Sequence, residues 1–190
     1  MRAYIDESVH VVGAPKMYIL ASVVVRHAQI DEVRAIVRDS LGNRRDRFHW
    51  ANEKQPIREA MAQTVGALGL SSVVAVCTPI DNKRQERARR LCLTQLLWEL
   101  DRRGVQDLLL ESRGQQDRND REYLRAQQRA GTVTTALRYG FGDPKQEPLL
   151  WLPDLVAGAV ADSRAHSAGR GDCLTLLGPQ VITVDVGDGI

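Results

Sequence analysis

No C-x-x-C pair occurs in this chain. Its three cysteines, Cys77, Cys92 and Cys173, are odd in number and far apart. That spacing argues against a structural zinc ribbon and fits a reducing, cytoplasmic setting. Cys77 falls in an apolar strand-like run and Cys92 on an apolar helix face, so both read as core fillers. Long hydrophobic runs are missing too. The longest nearly apolar stretch, MYILASVVV at 17–25, is far too short to span a bilayer, so no membrane association is expected. Acids appear by residue 6, and the N-terminus does not read as a signal peptide. Net charge is small: 26 basic against 24 acidic residues, formally +2. That balance says little about partners. The basic residues are mostly arginine, whose planar fork suits phosphate, a weak hint toward nucleic acid that a genomic bias would equally produce. Repeats and low-complexity linkers are absent.

What is present is ordinary for a globular protein: 43% hydrophobic and 26% charged residues. A chain of 190 residues predicts one domain, 1–190, with 167–190 as a C-terminal appendage. Residues 2–5 read as a strand ending in acids, and 17–25 as a second, rich in β-branched residues. VGAP between them supplies a turn, which predicts a hairpin. Apolar positions Ile30, Val33, Ile36, Val37 and Leu41 have helical spacing, ended by Gly42-Asn43. RRDRFHW reads as a short third strand. Pro56 opens a helix over about 54–68. SSVVAVCT (71–78) reads as a buried strand, then a long helix over about 81–103 closed by Gly104, then the strand VQDLLLES (105–112). A polar helix over about 118–130 follows, then an edge strand TVTTALRYG, a helix opened by Pro153, and a final short strand or ordered tail QVITVDV. A hairpin followed by strands alternating with helices predicts an α/β domain with a mixed sheet flanked by helices.

Three acids stand at matching places. Asp6 ends the first strand, Glu111 ends DLLLE, and Asp154 sits in the first turn after Pro153. If strands one and five are parallel and central, Asp6 and Glu111 emerge at one sheet edge, where α/β sites gather. The helix from Pro153 can bring Asp154 beside them. Its face at Gly158 and Ala161 is nearly bare and can press on the sheet or leave room for substrate. Converging carboxylates repel unless a cation lies between them. A hard divalent ion, Mg2+ or Mn2+, with oxygen ligands meets that need and serves phosphodiester cleavage. Each acid taken alone has a plainer reading. Asp154 suits a helix dipole, Glu111 could pair with Arg113, and Asp6-Glu7 could begin a turn. Asp81, just past the fourth strand, rivals Glu111 as third ligand.

YIDES, YILASVVV, FHW, RRLCLTQLLWEL, LLLESR and EPLLWLPDLVAGAV, in that order, resemble the DUF3800 family of bacterial proteins over nearly the whole chain. IDES and LLWLPDLVAGAV are the more specific segments. The resemblance implies a ribonuclease H-like fold and a metal-dependent nuclease-type site. Asp6 would be the first-strand acid, Asp154 the acid of the last helix and Glu111 an acid from a central strand. The chain departs from the family at Val9, where Gly is frequent, and at Pro153, where Ala is often found. Inactive members of that fold exist, so fold alone does not establish activity.

Other residues support such a site. His49 could shuttle a proton, contact substrate or ligate the ion, or be a satisfied loop histidine. Trp50 could stack on a base or pack over the core edge. Arg113 and Asp120 could orient Glu111 or meet phosphate; a solvated loop salt bridge is the plainer role. Arg44 and Arg45, in the run NRRDR, and the run KRQERARR (83–90) could track a nucleic-acid backbone, although acids interrupt both. Two functions follow: a divalent-metal-dependent nuclease, or a catalytically silent module binding nucleic acid or a partner protein in a mobile-element or phage-defence setting.

Overall fold

The computed structural model describes residues 1–10, 16–42, 47–165 and 172–187. Among them a six-stranded sheet has the order β5-β4-β1-β2-β3-β6. The strands are β1 (Arg2–His10), β2 (Met17–Val25), β3 (Ser71–Cys77), β4 (Asp107–Glu111), β5 (Arg138–Gly142) and β6 (Val181–Asp185). The helices are α1 (Ile30–Ser40), α2 (Gln55–Ala67), α3 (Gln85–Arg102), α4 (Asp117–Arg129), α5 (Trp151–Ala165) and α6 (Cys173–Leu177). β2 is antiparallel to both β1 and β3, and the remaining pairings are parallel. The architecture is therefore a mixed α/β sheet, built from an antiparallel hairpin and parallel strands with helices on both faces.

Strand periodicity sorts side chains between two cores. Tyr4, Ile19, Ala21, Val23, Val74 and Val76 face α1, α2, α5 and α6. Ile5, Leu20, Val73, Ala75 and Leu110 face the other way, against α3 and α4. β2 is buried at all nine positions because both faces are covered, which is why its sequence is a continuous apolar run. α5 is buried from Trp151 through Ala161, and α3 presents the stripe Ala88, Cys92, Leu93, Leu96, Leu97 and Leu100. No helix among the described residues is long and apolar enough to cross a membrane.

Several expectations need correction. The first strand does not end at its acids. β1 continues to His10 because β2 pairs with it throughout, Arg2↔Val25 to His10↔Met17. β4 accompanies it only to Ile5↔Leu110. Asp6 is thus mid-strand, at the point where its parallel neighbour stops. The segment RFHW is not a strand: Arg47–His49 form no regular element, and Trp50–Asn52 form a single 3-10 turn. β5 begins at Arg138, later than TVTTALRYG predicts. The C-terminal segment supplies α6 and the edge strand β6, which pairs with β3. The VGAP turn lies outside the described residues, as do Arg44 and Arg45.

Candidate active site

The end of β4 opens a pocket of about 350 Å³, lined by Asp6, Ser8, His10, Arg47, His49, Glu111 and Asp154 among others. The strand pattern explains two of the acids. Tyr4 and Leu109 belong to the α5-side core, so Asp6 and Glu111, two residues on in each strand, share that side. The parallel register Ile5↔Leu110 sets them at neighbouring positions. The first turn of α5 brings Asp154 to the same pocket.

Asp154 is buried, and its Oδ2 accepts a hydrogen bond from the Trp50 backbone N–H at 2.9 Å. His49 Nδ1 lies 3.3 Å from the same oxygen. That contact is long for a hydrogen bond, yet it is the largest influence on the His49 imidazole, and the Asp154 charge adds to it. Asp154 accordingly raises the His49 pKa, against the lowering effect of burial. Glu111 Oε1 accepts from Arg47 Nη2 at 2.9 Å, and Oε2 is buried without a partner among the described residues. Desolvation raises the Glu111 pKa; Arg47 opposes it and Asp154 adds to it. Asp6 stands well above the ordinary carboxylate range, first through desolvation and then through the charges of Glu111 and Asp154. A cluster of this kind holds more negative charge than its surroundings offset.

Trp50 is 6% exposed. The guanidinium of Arg58 lies over its ring at 4.5 Å, and Arg58 Nε donates to its carbonyl at 3.0 Å. A Cβ added at Gly158 would come within 2.2 Å of that ring. The bare patch on α5 is therefore filled by Trp50 and leaves no room for substrate there. Trp50 is packed against the core as it stands, with only its edge at the pocket wall.

Glu7 points the opposite way from Asp6. Its carboxylate accepts from Tyr18 and Arg89, and pairs with Arg113 Nε at 3.1 Å. Arg89 is 3% exposed and grips Asp120 through two bonds of 2.9 and 2.6 Å. Arg113 also reaches Glu86 at 2.6 Å. Glu7, Arg89, Arg113 and Asp120 thus form a network on the α3 side of β1, with Arg89 and Asp120 buried and the half-buried Glu7 and Arg113 also reaching the pocket wall. Arg113 and Asp120 do not orient Glu111; Arg47 contacts it instead. Asp120 is buried, not part of a solvated loop pair. Asp81 is exposed, caps the turn before α3 by accepting from Lys83 N–H, and does not line the pocket.

The donor chemistry suits a hard divalent ion: carboxylate oxygens, one of them orphaned and buried, in a pocket short of positive charge. Among the described residues, however, no three acidic, histidine or cysteine side chains are arranged to hold an ion as they stand. Arg47 and the Trp50 N–H hold two of the acids in their present poses.

No protein-family model and no curated protein matches the chain. Among solved structures, it is similar to the ribonuclease HII chain of the PCNA:RNase HII complex from Archaeoglobus fulgidus, with a TM-score of 0.54 and 19% identity, over 87% of this chain and 74% of that one. The shared architecture is ribonuclease H-like. At that identity the likeness concerns the fold.

Proposed function

We propose that this protein is a divalent-metal-dependent nuclease cleaving phosphodiester bonds in nucleic acid, and a member of the DUF3800 family. The observation carrying this reading is the convergence of Asp6, Glu111 and Asp154 on one pocket, where burial first and then the charges of the other two hold Asp6 well above its ordinary pKa. The fold it shares with a ribonuclease HII supports the same reading.

Asp6, Glu111 and Asp154 would hold Mg2+ or Mn2+. A bound ion would supply Lewis-acid stabilisation of a phosphoryl oxygen and activation of water. Asp154 fixes the segment carrying His49 through the Trp50 N–H, and its contact with the imidazole, and then its charge, keeps His49 readier to hold a proton. His49 is 45% exposed at its side chain, so it can pass that proton to a leaving oxygen in the pocket. Trp50, packed on Gly158, closes the pocket floor against the core.

A second reading has one observation in its favour. The side chains as they stand do not form an ion-binding set among the described residues. On that reading the chain binds nucleic acid or a protein partner without cutting, and the assembly of the similar ribonuclease HII with PCNA gives a precedent for a protein partner.

The test is a cleavage screen over single- and double-stranded DNA, RNA and hybrid substrates, with Mg2+, Mn2+ or chelator. The nuclease reading expects cleavage that needs the ion and disappears in Asp6→Asn. Binding without cleavage of any substrate would favour the second reading.

A further inference from the structure

Arg47 is the guanidinium bonded to an acid of the pocket, through Nη2 to Glu111 Oε1 at 2.9 Å. The pair is incomplete on both sides. Arg47 Nε and Glu111 Oε2 are each buried with no hydrogen-bond partner among the described residues. Its charge offsets both Asp6 and Glu111, and the Asp6 carboxylate has no hydrogen-bond partner among the described residues. The Arg47 side chain is 32% exposed, so it is not locked into the core.

One partner cannot complete this arrangement. Oε2 lacks a positive or donating group, and Nε lacks an acceptor. A cation beside Glu111 would meet the first and a phosphate oxygen the second. A guanidinium and a divalent ion on one carboxylate repel each other, so the ion's arrival weakens the Arg47 contact. The planar fork is then suited to two oxygens of a phosphate.

We propose that Arg47 is the displaceable counter-ion of the acid pocket: it pairs with Glu111 while no cation is bound, and turns onto a substrate phosphate when a cation takes its place. This rests on the cation-dependent reading of the pocket. It makes the affinity for nucleic acid depend on the ion through one named side chain. A positive charge stands near the acids at each stage, so the pocket is never left with three unopposed carboxylates.

The experiment uses the full chain at pH 8. Mn2+ is titrated calorimetrically into wild type, Arg47→Met and Arg47→Lys. The same proteins are titrated against a fluorescein-labelled phosphorothioate oligonucleotide, DNA and RNA in separate arms, with and without Mn2+. Arg47→Met should bind Mn2+ about tenfold tighter, because a nearby charge changes a carboxylate's affinity for a cation by at least that order. Its oligonucleotide affinity should fall about tenfold in Mn2+ and match wild type without it. Arg47→Lys keeps the charge and loses the fork; it should bind Mn2+ like wild type and the oligonucleotide more weakly in Mn2+. Unchanged or weaker Mn2+ binding by Arg47→Met would overturn the counter-ion role. An equal loss of oligonucleotide affinity with and without Mn2+ would overturn the hand-over. No Mn2+ binding by wild type would instead overturn the cation reading itself, and this inference with it.

Discussion

The Trp50 backbone N–H donates to Asp154 Oδ2 at 2.9 Å. One bond therefore ties the loop that carries Arg47 and His49 to the helix that carries the buried acid. The Trp50 ring secures the same junction by lying against Gly158. Site geometry and core packing meet at these residues, and substitutions there separate the two contributions.

Asp154→Asn keeps an oxygen for the Trp50 N–H but removes the charge. The fold should survive. The His49 pKa, raised by Asp154, should fall toward its ordinary value. Because a raised histidine pKa stabilises below its unfolded value and is lost as pH rises through the folded one, wild type loses that contribution across the mildly acidic to neutral range and the variant does not. An NMR titration of the imidazole checks this. Cleavage and any Mg2+-induced rise in melting temperature should also disappear.

Gly158→Ala should destabilise the protein by about 1–3 kcal/mol, since the added methyl overlaps the Trp50 ring and the ring cannot move without disturbing its backbone. Chemical denaturation measures it. A neutral result would mean that Trp50 has another place to go.

Arg89→Met removes the guanidinium that bonds both Glu7 and Asp120 and leaves them only Arg113, 3.1 Å from Glu7 and 3.8 Å from Asp120. Breaking a buried pair in this way costs about 3–5 kcal/mol. Asp120→Asn alone should cost less, because Arg89 keeps Glu7. Denaturation of the two variants and the double variant tests whether the cluster behaves as one unit.

Much of this arrangement was legible in the residues. The β-branched run at 17–25, the apolar stripe of α3 and the punctuation by Gly104 and Pro56 locate their elements within a few residues. Asp6, Glu111 and Asp154 could be named because each sits beside a recognisable strand or helix boundary. The extension of β1 past Asp6 was not legible, because Glu7, Ser8 and His10 look like a turn. Only pairing with β2 keeps them extended. Arg89 was hidden in a charged run that reads as solvent-facing, and its burial depends on Glu7 and Asp120 from distant segments. Arg58 carried no local signal at all. Its role follows from where Trp50 lands.

Asp6→Asn probes the repulsion directly. The folded state holds the Asp6 proton more readily than the unfolded chain does. Its contribution therefore favours folding below the ordinary carboxylate pKa, about 4, and is lost as pH rises through the raised value. In chelator, wild type should lose more stability over that interval than Asp6→Asn, which keeps only the raised Glu111. At pH 8 the variant should melt higher than wild type. A lower melting temperature for the variant at pH 8 would show that Asp6 is stabilised rather than strained.

The account depends most on a cation filling the space those acids share. Crystals grown in chelator, then soaked in Mn2+ and measured at a wavelength where manganese scatters anomalously, answer that directly. The account predicts an anomalous peak coordinated by Asp6, Glu111 and Asp154, with Glu111 released from Arg47. No peak at the acids under saturating Mn2+, with the Arg47–Glu111 pair intact, would contradict it.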